Sequence, residues 1–106
     1  MNQEIKKKWV EALRSGEYKQ EVGYLRKDNK FCCLGVLCDI YEKETGKDAF
    51  NQNHQEVLPY NVSEWAGLGI VYSPCIKQKN NHTLSYLNDI GNCDFQEISN
   101  WIDEEL

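Results

Sequence analysis

Three of the chain's five cysteines, Cys32, Cys33 and Cys38, fall within the stretch "FCCLGVLCD", Phe31 to Asp39. Thiols at that density point to a metal site, a nucleophile or a core. Zinc asks for about four ligands converging tetrahedrally, usually with a short-spaced pair on a turn. On a helix Cys32 and Cys33 diverge by about 100° and Cys33 and Cys38 by about 140°. The other donors, Cys75, Cys93, His54 and His82, show no paired spacing, so no metal is expected. A cysteine nucleophile needs a base in reach and a lowered pKa. Cys32 and Cys33 stand near a helix start beside Lys30, but both histidines lie in polar, loop-like text. No catalytic residue is therefore assigned. Packing explains the cluster better. Cys33, Leu34, Val36, Leu37, Cys38, Ile40 and Tyr41 cover about 200° of a helix, and free cysteine is a small, often buried hydrophobe.

The narrow remaining face gathers Cys32, Gly35, Asp39, Glu42 and Lys43. A mid-helix glycine costs about 1 kcal/mol against alanine, so at Gly35 either another backbone passes close or a notch is kept open. Asp39 borders that notch, with Lys43 four residues on as its structural partner. Other polar residues stand at element ends: Arg14 where the macrodipole favours a cation, Tyr18 and Gln20 in the loop after it, and Asn88 and Asp89 before Gly91. Capping accounts for each alone. Together they supply a guanidinium, a phenol, two amides and two acids, a set suited to a small polar ligand. The candidate ligand-binding residues are thus Arg14, Tyr18, Gln20, Cys32, Gly35, Asp39, Asn88 and Asp89, with no cofactor.

Helices and turns must position these groups. Ile5, Trp9, Ala12 and Leu13 share one stripe of a helix over about residues 2–15, which Gly16 stops. "YKQEVGYLRKDNK" has no helical period, and "KDNK" is turn chemistry between two short extended runs. The central helix is expected over about 31–44 with Gly46 as its cap. "KDAFNQNHQEV" reads as a polar surface insertion, followed by a short helix at about 63–66 that Gly67 and Gly69 end. "IVYSPCI" reads as a short edge strand because Pro74 interrupts it. "TLSYLNDIG" makes a short helix with Leu84 and Leu87 inward. In the last segment Asp94 caps, Glu97 completes a capping box, Cys93 staples against Ile98, and Phe95, Ile98, Ile102 and Leu106 form the buried stripe. The fold class is α+β, mostly helical, with a central buried helix and a minor β hairpin or edge strand.

With 106 residues the chain has material for one core and one domain, residues 1–106. Twelve Lys and Arg against 17 Asp and Glu give a net charge of −5, which repels nucleic acid and anionic membranes at long range. The consecutive Lys6, Lys7 and Lys8 spread over about 200° of their helix, a solvated face and no phosphate track. No signal peptide or membrane span is read, so a cytoplasmic protein with free thiols is expected. The glycosylation-like triplets at Asn61 and Asn81 are then chance matches.

Trp9, Ala12 to Gly16, Tyr18, Gln20, Phe31 to Asp39, Trp65 to Leu68, Leu84 and Leu87 to Asp89 match the layout "W..ALRSG.Y.Q", "FCCLGVLCD", "WAGL" and "L..LND". In these the chain resembles a family of small, functionally uncharacterised proteins encoded largely by phages and prophages. The resemblance implies a phage accessory protein acting in an infected or lysogenic bacterial host. By analogy with phage proteins of this size it implies a counter-defence role, some such proteins being oligomeric sponges for nucleotide signals.

Three readings follow. The first is a non-enzymatic accessory protein that sequesters a small polar or nucleotide-derived ligand, as a homo-oligomer. The second is an acidic inhibitor that masks a host protein, using the terminal "DEEL" for charge complementarity. The third is a metal-dependent nucleotide hydrolase built on Asp39 or Asp89.

Overall fold

Asn2 opens the first helix: its Oδ1 accepts from the Glu4 and Ile5 amides at 2.9 and 3.0 Å. In the computed structural model, which describes residues 1–50 and 57–106, helix α1 then runs Gln3–Arg14. Ile5, Trp9, Val10 and Leu13 are buried, and Gly16 follows at φ +78°. Val10 widens the expected stripe, while Ala12 is only half-buried.

Strands β1 (Lys19–Gln20), β2 (Arg26–Lys27) and β3 (Lys30–Phe31) follow. Asp28 and Asn29 both take positive φ, 53° and 63°. That twist suits the tightest hairpin turn and closes β2 against β3 in antiparallel register, Arg26 opposite Phe31. β1 adds on the other side of β3, parallel, with Gln20 opposite Phe31. This pairing holds Phe31 extended, so the central helix begins two residues later than its apolar pattern implies. Helix α2 spans Cys33–Thr45, with Cys32 as an extended N-cap and Gly46 as a left-handed stop at φ 71°. Eight of its residues, from Cys33 to Tyr41, are buried, as befits the centre of the core.

The segment expected to be a polar surface insertion is anchored where it is described. Ala49 is buried and donates its N–H to Glu42 Oε2 at 2.8 Å. Phe50 meets Phe31 edge-on at 6.2 Å under the Arg26 guanidinium. Residues 51–56 of that segment, His54 included, lie outside the described residues.

Helix α3 spans Tyr60–Trp65, and Gly67 and Gly69 leave it at φ 74°. The edge strand shrinks to β4 (Cys75–Ile76), which joins β5 (His82–Thr83) across a 3-10 turn at Lys77–Lys79. Upstream, the Pro74 carbonyl accepts from Leu84 N–H at 2.9 Å. Helix α4 is Leu84–Asp89, and α5 is Phe95–Glu105 behind the expected Asp94–Glu97 capping box.

α1 and α5 form the most extensive helix pair, α2 packs on α1, and α4 touches both α2 and α5. The Trp9 indole N–H reaches the Cys33 carbonyl at 2.9 Å inside this assembly. The fold is α+β and mostly helical. No helix among the described residues is long and apolar enough to cross a membrane.

Candidate functional site

Gly35 decides whether the expected notch exists. A Cβ built on it would lie 1.7 Å from the Leu25 carbonyl oxygen. That same carbonyl accepts from the Cys32 N–H at 3.3 Å. Another backbone therefore fills the space, and no notch is present. Cys32 and Gly35 are both buried, and Cys32 Sγ accepts from the Gly35 amide at 3.4 Å. These two residues join the hairpin to α2 and offer nothing to a ligand. The core cysteines are also poor nucleophiles. Burial pushes the Cys32 thiol up to about 11 and raises Cys33 and Cys38 as well.

The remaining candidates divide among three places. Arg14 docks α1 onto α5: its Nε donates to Ser99 Oγ at 3.0 Å and its Nη2 to Asn100 Oδ1 at 2.7 Å. Asp39 takes the Tyr18 hydroxyl as donor and the Lys43 ammonium at 3.0 Å. The ion pair anticipated one helical turn apart is thus present, with the phenol added to it. Burial and the hydrogen bond to Asp39 raise the Tyr18 hydroxyl, and the bond to Asp39 raises Lys43. Neither is poised to give or take a proton at neutral pH.

Gln20, Asn88 and Asp89 do converge. Asn88, on α4, is buried, and its Oδ1 accepts from the Cys33 amide at 3.2 Å and from Gln20 Nε2 at 2.8 Å. Its Nδ2 donates to the Glu21 carbonyl and to Asp89 Oδ1, both at 2.8 Å. Gln20 Nε2 also reaches the Cys93 carbonyl at 2.8 Å. One amide therefore ties β1, the first turn of α2 and α4 together, and a second ties β1 to the turn before α5. With both polar atoms of the Asn88 side chain engaged, its geometry is fixed.

Beside this network lies a shallow pocket of about 250 Å³, lined by Gln20, Val22, Asn88, Asn92, Cys93 and Asp94. Val22, Asn92, Cys93 and Asp94 were not legible as site residues. Asp94 reads as a helix cap, which it is, and Cys93 as a staple, and nothing local marks them as facing a cavity. The one available signal was "GNCD", a turn too short to let its side chains leave the α4–α5 junction. Among the described residues Asp39 and Asp89 take different hydrogen-bond partners, and no group of three His, Cys, Asp or Glu could hold a metal ion.

Fold and site together define a small α+β domain with an amide-built surface pocket. The chain belongs to the family described as "Domain of unknown function (DUF8296)", whose model matches residues 1–106. No curated protein and no solved structure matches it.

Proposed function

We propose that this protein is a phage-encoded, non-catalytic accessory protein that captures a small polar ligand in the pocket between β1 and the α4–α5 turn. One observation carries the reading. Asn88 and Gln20 are locked by internal hydrogen bonds, while Gln20 Oε1 and the Asn92 side chain, both at the pocket, hold no partner among the described residues. A fixed wall with unspent hydrogen-bonding groups is how small-molecule sites achieve orientation without reorganisation. The phage resemblance of the four sequence motifs supports an accessory, counter-defence role, with a nucleotide-derived signal among the candidate ligands and a homo-oligomer as the capturing form.

The test is a thermal-shift screen over nucleotides, cyclic nucleotides, nucleosides and small amines, with light scattering for subunit number. A ligand at one hundred times its Kd adds about 2.7 kcal/mol, a shift of several degrees. Gln20→Ala and Asn92→Ala should abolish that shift. Stabilisation that both variants retain would place the ligand elsewhere.

A second reading, masking of a host protein, draws on different residues than the sequence suggested. The "DEEL" carboxylates are engaged internally: Asp103 near Arg14, Glu104 on Gln78, and Glu105 on the Lys77 and Gln78 amides. Ile70 and Tyr72 instead stand 82% and 68% exposed on a loop braced by Ser63 Oγ to Gly69 O and by Leu58 N to Tyr72 O. A stoichiometric host partner lost on Ile70→Ser and Tyr72→Ser would favour masking.

A further inference from the structure

The proposed pocket has a charge sign. Among the described residues its lining contains no Lys, Arg or His. Its free polar groups are Gln20 Oε1, the Asn92 amide, which offers an acceptor oxygen beside its N–H donors, and the Asp94 carboxylate, whose Oδ1 accepts from the Glu97 amide at 2.9 Å and whose other oxygen holds no hydrogen bond among the described residues. Asp89 and Glu97 add negative charge next to lining residues, held by the Asn88 amide and by the Asp94 N–H respectively. Opposing them, the Lys79 ammonium sits over the Trp101 ring at 5.3 Å, outside the lining.

An anion would ordinarily favour the N-terminus of α5. Here the capping box has already filled that end with the chain's own carboxylates, so an incoming phosphate meets like charge. Burial and then Glu97 raise the Cys93 thiol, with the Lys79 ammonium pulling the other way. Val22 and the Cys93 side chain supply an apolar wall beside the acceptors. The overall charge of −5 raises the local concentration of cations.

We infer that the pocket takes an N–H-rich organic cation, a guanidinium or primary ammonium on a short aliphatic stem. Asp94 serves as its counter-ion, Gln20 Oε1 and the Asn92 oxygen accept from its donors, and Val22 and Cys93 cover the stem. This rests on the pocket being the binding site. The same chemistry is carried by free amines and by arginine side chains of peptides.

The experiment is a 15N-HSQC titration of the full chain with agmatine, Nα-acetyl-arginine amide, cytidine and ADP. The amides of Val22, Cys33 and Cys93 report on the pocket. Agmatine or the arginine amide should shift them saturably, the stronger of the two naming the source. Asp94→Asn should weaken that binding about tenfold, the loss of one charge-assisted contact. Asparagine caps a helix as well as aspartate, so the fold is retained. Asp103→Asn, an acid on the far end of α5, should leave binding unchanged. If ADP or cytidine shifts these amides and the two cations do not, the inference fails while the pocket reading stands. If Asp94→Asn binds the cations as well as the parent, charge recognition is wrong. If none of the four shifts them, both readings fall.

Discussion

An alanine in the middle of an exposed helix is normally worth about 1 kcal/mol over glycine. At position 35 the sign should reverse. The new methyl would occupy the Leu25 carbonyl, and backbone cannot rotate aside as a flexible side chain does. Gly35→Ala should therefore lose roughly 3 kcal/mol, read as a lower urea midpoint at unchanged slope; an equal or higher midpoint would refute the close approach. Asn88 is the other residue on which much converges. Asn88→Ala strands the buried Cys33 amide, removes one of the two acceptors of Gln20 Nε2 and takes away the side-chain donor to the Glu21 carbonyl. A cost of about 3 kcal/mol is expected from the unpaired groups. Gln20→Ala should cost less, because Gln20 is half-exposed and water replaces its bonds. Reversal of that order would mean the network is looser than drawn.

At the scale of elements, local signals were readable and pairings were not. Gly16, Gly46, Asp28–Asn29 and the Asp94–Glu97 box all do what their residue types require within a few neighbours. The parallel addition of β1 to β3 was invisible, because a two-residue strand has no periodicity and its partner lies eleven residues away. Gly35 was legible as one of two alternatives, and choosing between them required knowing where Leu25 sits. The candidate site split for the same reason. Residue type showed that Arg14, Tyr18, Asp39 and Asn88 needed partners, but only the packing of α5 on α1 and of α4 on α2 assigns them. The end of α5 carries an element-scale prediction. Glu105 accepts from the Lys77 and Gln78 amides at 2.6 and 3.0 Å and so holds the 3-10 turn. Those backbone donors, Gln78's foremost, lower its pKa from the ordinary glutamate value. A depressed folded-state pKa stabilises above the unfolded value and loses that contribution as pH falls through the folded one. Melting temperature should therefore drop on the acid side of the ordinary glutamate range, and Glu105→Gln should drop less steeply. Parallel curves would deny the turn this clasp.

For the whole molecule, the thiols divide by accessibility. Cys75 is exposed, Cys93 lines the pocket, and Cys32, Cys33 and Cys38 are sealed in the core. A disulfide reagent at mildly alkaline pH should label one thiol fast and a second more slowly. The last three should react only as fast as the molecule unfolds. Three or more fast thiols in the native protein would contradict the packing around α2. A ligand in the pocket should slow the second phase alone, which separates protection of the site from protection of the fold.

The Leu25 carbonyl against Gly35 also has a meaning for the gene. Any missense change in that codon adds a Cβ, so no step from glycine is conservative, whatever the size or polarity of the newcomer. In a saturation library selected for folded protein, the column at position 35 should be empty. The flanking Leu34 and Val36, equally buried, should still admit aliphatic exchanges. The least conspicuous letter of "FCCLGVLCD" is thus the one with the narrowest mutational latitude.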